Sequence, residues 1–86
     1  MGKIQIQNDA KENALKAYFY MEKLWVDFSS IGLDIGKNES YRALQRMIVD
    51  KVIEYAGNGE DDFLDRLAEN VSKCRSCEEF LSRYVC

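Results

Sequence analysis

Apolar positions in the first third of the chain recur at helical spacing. Ala10, Ala14, Ala17, Met21, Leu24, Phe28 and Ile31 follow one another at intervals of 4, 3, 4, 3, 4 and 3. That is the seam of a heptad pattern. A second set, Leu15, Tyr18, Phe19, Trp25 and Val26, widens the face well beyond a seam. The pattern predicts a helix over about 9–30 that is apolar on most sides, so it is central to the domain or partly buried by another chain. Asp9 followed by Glu12 has the form of a capping box, and Gly32 suits a left-handed stop. Tyr18, Phe19 and Tyr20 are consecutive, so at least one ring has to point away from a narrow core.

Upstream, Lys3 to Gln7 alternate polar and apolar, with Ile4 and Ile6 on one face. That period is a strand's. A lone strand leaves its backbone groups unpaired, so it pairs with a second copy or another protein, or it is an extended arm whose isoleucines cover the core. Downstream, residues 32–38 form a loop with two glycines. Asp34, Gly36 and Asn38 have alternate spacing, but a calcium loop needs a ligand where Gly36 stands, glycine where Glu39 stands and glutamate where Gln45 stands. No G-K-[ST] follows, so the loop is no phosphate cradle.

Three more helices follow from the same reasoning. Tyr41, Leu44, Ile48, Val52 and Tyr55 make a stripe over about 39–56, bracketed by Asn38 and Gly57. Phe63, Leu64, Leu67, Ala68 and Val71 predict a helix over about 62–73 with Asp61 as its cap. Ser76 and Glu79 form a second capping box, opening a short helix over 77–84 with Phe80, Leu81, Tyr84 and Val85 inward. The expected fold is a compact all-α, four-helix bundle-like domain over 1–86, preceded by a short strand or extended arm over 1–8.

Composition narrows the chemistry. The chain has 86 residues, 47% hydrophobic and 31% charged, which is globular rather than disordered. It contains no proline and no histidine. The commonest general base, metal ligand and pH switch are therefore absent. No nucleophile motif or paired-carboxylate signature is present, so no catalytic residue, cofactor or metal is expected, and the chain is read as non-enzymatic. Cys74 and Cys77 form a C-x-x-C, but no second pair or histidine completes a zinc site. They read as half-buried cysteines flanking a turn, with Cys86 left for a possible crosslink. The N-terminal residues lack a signal-peptide pattern and no apolar run reaches membrane-span length, so the expected setting is the cytoplasm and no membrane contact.

Net charge is −3. Residues 1–59 carry eight basic and eight acidic residues, while 60–86 carry four and seven, so the excess lies in the C-terminal third. Asp61, Asp65 and Glu69 recur every fourth residue, with Asp62 beside them.

Two functions fit these features. The first is a small protein-interaction module, an adaptor or inhibitor with a protein partner. Its candidate contacts are Tyr18, Tyr20 and Trp25 on an aromatic face, or Asp61, Asp62, Asp65 and Glu69 on an acidic one. Free-standing domains without catalytic parts are an economy of phage and mobile-element genomes, which makes an inhibitor of a host nuclease or defence complex its sharpest form. The second is a dimeric DNA-binding regulator. The order strand, helix, turn, helix is similar to that of ribbon-helix-helix repressors. That resemblance implies that Lys3, Gln5 and Gln7 read the groove while Lys37 and Arg42 meet phosphates. A homodimer along the 10–31 seam is compatible with both, because Ala14 and Ala17 permit close helix approach.

Overall fold

The computed structural model describes residues 3–84, with side chains from Asp9 to Tyr84. Among them the fold is all-α. Helix α1 is Lys3–Ser30, a 3-10 turn covers Ile35–Lys37, α2 is Glu39–Ala56, α3 is Phe63–Lys73 and α4 is Cys77–Leu81. Four helices are present and no strand occurs in the described backbone.

The backbone of α1 begins at Lys3 rather than at Asp9. Neither glycine nor proline interrupts the chain between them. A helix also satisfies its own backbone groups, which a lone strand does not. The side chains of residues 3–8 lie outside the described residues, and so do the expected covering role of Ile4 and Ile6 and the groove-reading role of Lys3, Gln5 and Gln7. Cys86 and Val85 lie outside them too.

At about 42 Å, a helix of this length sets the long dimension of the molecule, which measures 45 × 26 × 26 Å. It packs against α2, α3 and α4, so it is the central element. Its end is a Schellman motif. Leu33 N–H donates to Phe28 O at 2.9 Å and Gly32 N–H to Ser29 O at 3.1 Å, with Gly32 at φ +85°. Asn38 caps α2 by accepting from Tyr41 N–H at 2.9 Å. Ser76 caps α4 by accepting from Glu79 N–H at 3.1 Å, while the Glu79 carboxylate accepts from Arg75 N–H. The cap of α3 is Asp62, not Asp61, and its side chain makes no capping bond.

The core is small and lopsided. Leu15, Tyr18, Phe19 and Met21 of α1 meet Phe63, Leu67 and Val71 of α3, Cys74 at the end of α3 and Phe80 of α4, with Val52 alone fully buried from α2. Phe80 stacks at a tilt on Phe19 and Tyr84, with centroids 5.4 and 5.3 Å apart. Two polar ties fasten the outer elements to α1. Lys23 donates to Cys74 O at 3.3 Å while lying over the Phe19 ring, and Tyr41 OH donates to Met21 O at 3.4 Å. Asn70 links α3 to the last turn, donating to Tyr84 OH at 2.6 Å and accepting from Arg83 at 3.0 Å.

The inward stripe expected for α2 is only partly inward. Tyr41 and Ile48 are half-buried, but Leu44 and Tyr55 are exposed. Most of what packs on α2 comes from α1, and one side of its stripe stays exposed.

A candidate docking groove between the two long helices

The heptad seam of α1 divides between two tasks. Met21 is buried and Ala14 is packed against the core. Ala10, Ala17 and Leu24 lie close to the opposite side of the helix from Leu15 and Phe19, the residues that meet the core. Those three face an open trough between α1 and α2. One concavity of about 330 Å³ has its α1 wall in Ala10, Asn13, Ala14 and Ala17, and its α2 wall in Met47, Ile48, Lys51 and Tyr55. A second, of about 310 Å³, runs on through Ala17, Tyr20, Met21 and Leu24 against Tyr41, Leu44 and Ile48. Ala17 and Ile48 belong to both, so the two form one continuous groove.

Carbon dominates the groove's lining. Its polar members are Asn13, Lys51 and the tyrosine hydroxyls, and Lys51 is already paired with Glu54 at 3.0 Å. Lys16, further round α1, is paired with Glu12 at 3.2 Å. The large side chains stand in water: Tyr20 is 61% exposed and Met47 55%, with Leu24, Leu44 and Tyr55 also exposed. Contiguous exposed apolar surface of this kind marks contact sites rather than ordinary surface.

Each candidate residue has a definite place. Of the three aromatics, Tyr20 reaches the groove. Tyr18 is a correction: it is 5% exposed and belongs to the core, because it sits on the α3–α4 side of α1. Its hydroxyl lies near the Glu22 carboxylate. Burial first, and the nearby Glu22 charge second, hold that phenol proton on far above the usual range. Burial likewise raises the Glu22 carboxyl, an effect partly offset by the Tyr18 hydroxyl, and it raises Tyr41. Trp25 is a buttress more than an anchor. Its ring lies 5.8 Å from that of Tyr41 and directly over Gly36.

The acidic face is half neutralised. Arg66 holds Asp62 at 2.8 Å and Glu60 at 3.0 Å, and Lys73 holds Glu69 at 2.8 Å. Lys73 is the main cause that keeps the Glu69 carboxyl below its usual range. Asp61 and Asp65 are the members outside these pairs. Arg42 lies on the outer side of α2 with Arg46 and Glu39, away from the groove, and Lys37 ends the 3-10 turn. The structure does not bring these basic residues together with the groove.

Cys74 is buried at the end of α3 and Cys77 half-buried at the start of α4, both as free thiols. Among the described residues no group of three or more potential ligands stands ready for a metal. No described helix is long and apolar enough to cross a membrane. Comparison with protein families, with curated proteins and with solved structures finds no match.

Sequence reasoning missed most of the groove. Leu44, Met47 and Tyr55 carry its α2 wall, and periodicity assigns Leu44 and Tyr55 to the core. The available signal was arithmetic: two long helices with wide apolar faces, and too few other residues to cover both.

Proposed function

We propose that the chain is a small non-catalytic protein-interaction module, an adaptor or inhibitor, whose working surface is the α1–α2 groove. The observation that supports this reading is the continuous carbon-lined trough from Ala10 to Leu24, rimmed by exposed Tyr20 and Met47. Its shape suits an amphipathic helix, which docks through apolar side chains three and four residues apart. Alanines along the floor let a helix backbone approach closely, and the aromatic and methionine rim supplies the large contacts that dominate binding energy. The nearly uncharged lining suits an apolar ligand better than phosphate.

The acidic face is the competing surface, and capture experiments separate the two. The bait is tagged protein, as wild type, as Tyr20→Glu, and as the double change Asp61→Lys with Asp65→Lys. The prey pool includes untagged copies of the chain. Loss of the bound protein with Tyr20→Glu, and its retention with the charge reversal, supports the groove. Full retention with Tyr20→Glu contradicts it.

A further inference from the structure

The α1 wall of the groove has a size pattern that complements itself when the chain direction is reversed. The free positions of α1, Ala10, Ala17 and Leu24, are evenly spaced about Ala17, but their sizes run small, small, large. Both ends of the groove are concave, but its α1 wall is low at one end, over Ala10 and Ala14, and raised at the other by exposed Tyr20 and Leu24. Reversing the chain direction about Ala17 sets Leu24 over Ala10, Tyr20 over Ala14 and Ala17 over Ala17. Along α1, each raised end then meets a low one.

We infer that the groove is covered by a second copy of this chain, packed antiparallel about a two-fold axis that lies across the helices at Ala17 and Ile48. This inference rests on reading the groove as a docking surface and names its partner. The two α1–α2 hairpins meet face to face, and four long helices form one antiparallel bundle in which short α1 side chains lie opposite long ones. An isologous contact needs a surface complementary to itself, and the size reversal supplies it. The five large exposed side chains of the groove offer roughly 500 Å² per copy, so their full burial in a pair removes on the order of 1,000 Å² from water, the floor for a specific interface. Charge does not oppose it, since Lys51 is already paired within its own copy.

The test is the absolute mass in solution of reduced wild type and Met47→Glu, with circular dichroism to show that both are folded. Met47 is 55% exposed, so its replacement leaves the monomer's core untouched. The expected result is a wild-type mass twice the 10.0 kDa of the chain, and association weakened by at least about tenfold in affinity, or lost, in Met47→Glu. A wild-type monomer overturns the inference, and so does a dimer that Met47→Glu leaves intact. An apolar fluorescent dye then shows which claim failed. Dye bound by a wild-type monomer and lost in Met47→Glu keeps the groove as a docking surface for another helix. A monomer with no such dye binding removes the groove as well.

Discussion

Gly36 lies beneath Trp25. A Cβ at that position falls 2.6 Å from Cη2 of the indole and 3.1 Å from the Asp34 carboxylate, which already accepts the Gly36 N–H. Gly36→Ala therefore has to displace the ring, at a cost of about 1–3 kcal/mol. Trp25 is the sole tryptophan of the chain, so its emission reports the movement directly. An unchanged spectrum with unchanged stability contradicts that contact. Glu22 carries the second residue-scale prediction. Its carboxyl is raised above the ordinary 4.5 chiefly by burial, so the folded state binds the proton more tightly than the unfolded chain. Stability is then lost as pH rises from about that value through the folded pKa. Glu22→Gln keeps an acceptor for Tyr18 and removes the buried charge. It is expected to raise the urea midpoint at neutral pH and to leave it unchanged in acid below 4.5. An equal gain at both pH values, or a loss at neutral pH, removes burial as the cause.

At the scale of the elements, length decides which helices stand on their own contacts. Helix α4 has five residues, too few to persist in water without support. It is held through Phe80, wedged between Phe19 and Tyr84. Phe80→Ala is expected to cost about 3–5 kcal/mol. Hydrogen exchange should show protection lost over Cys77–Leu81 before α1 and α2 open, whereas uniform loss across all helices contradicts a locally anchored α4. The same elements show what the sequence made legible. Asn38 and Gly57 bracket α2 in both, because side-chain caps and glycine stops are local chemistry. Gly32 ends α1 for the same reason. Assigning apolar faces to partners is not local. The stripe of α2 does not record that only one side of it meets α1. Nor does the triplet at 18–20 record that Tyr18 turns inward and Tyr20 outward. The alternation at residues 3–7 has no neighbouring strand to hold it extended, and the backbone there continues α1.

For the whole molecule, the two long helices carry more apolar surface than two short ones can cover. Helices α3 and α4 cover the Leu15 and Phe19 side of α1 and leave its Ala10, Ala17 and Leu24 side open. The ion pairs between described side chains at Glu12–Lys16, Lys51–Glu54, Arg66 with Glu60 and Asp62, and Lys73–Glu69 are exposed and contribute little. In the proposed dimer, burial of the groove adds stabilisation that the monomer lacks. A cysteine crosslink at Ala17 tests that account most directly, with Cys77 and Cys86 replaced by serine and Cys74 left buried. Two-fold pairing about Ala17 brings the two copies of Ala17→Cys within disulfide reach, and mild oxidation is expected to link them efficiently. Ser72→Cys, on exposed α3, is expected to stay unlinked. Ala17→Cys that remains monomeric under oxidation, or links no better than Ser72→Cys, contradicts the antiparallel pairing.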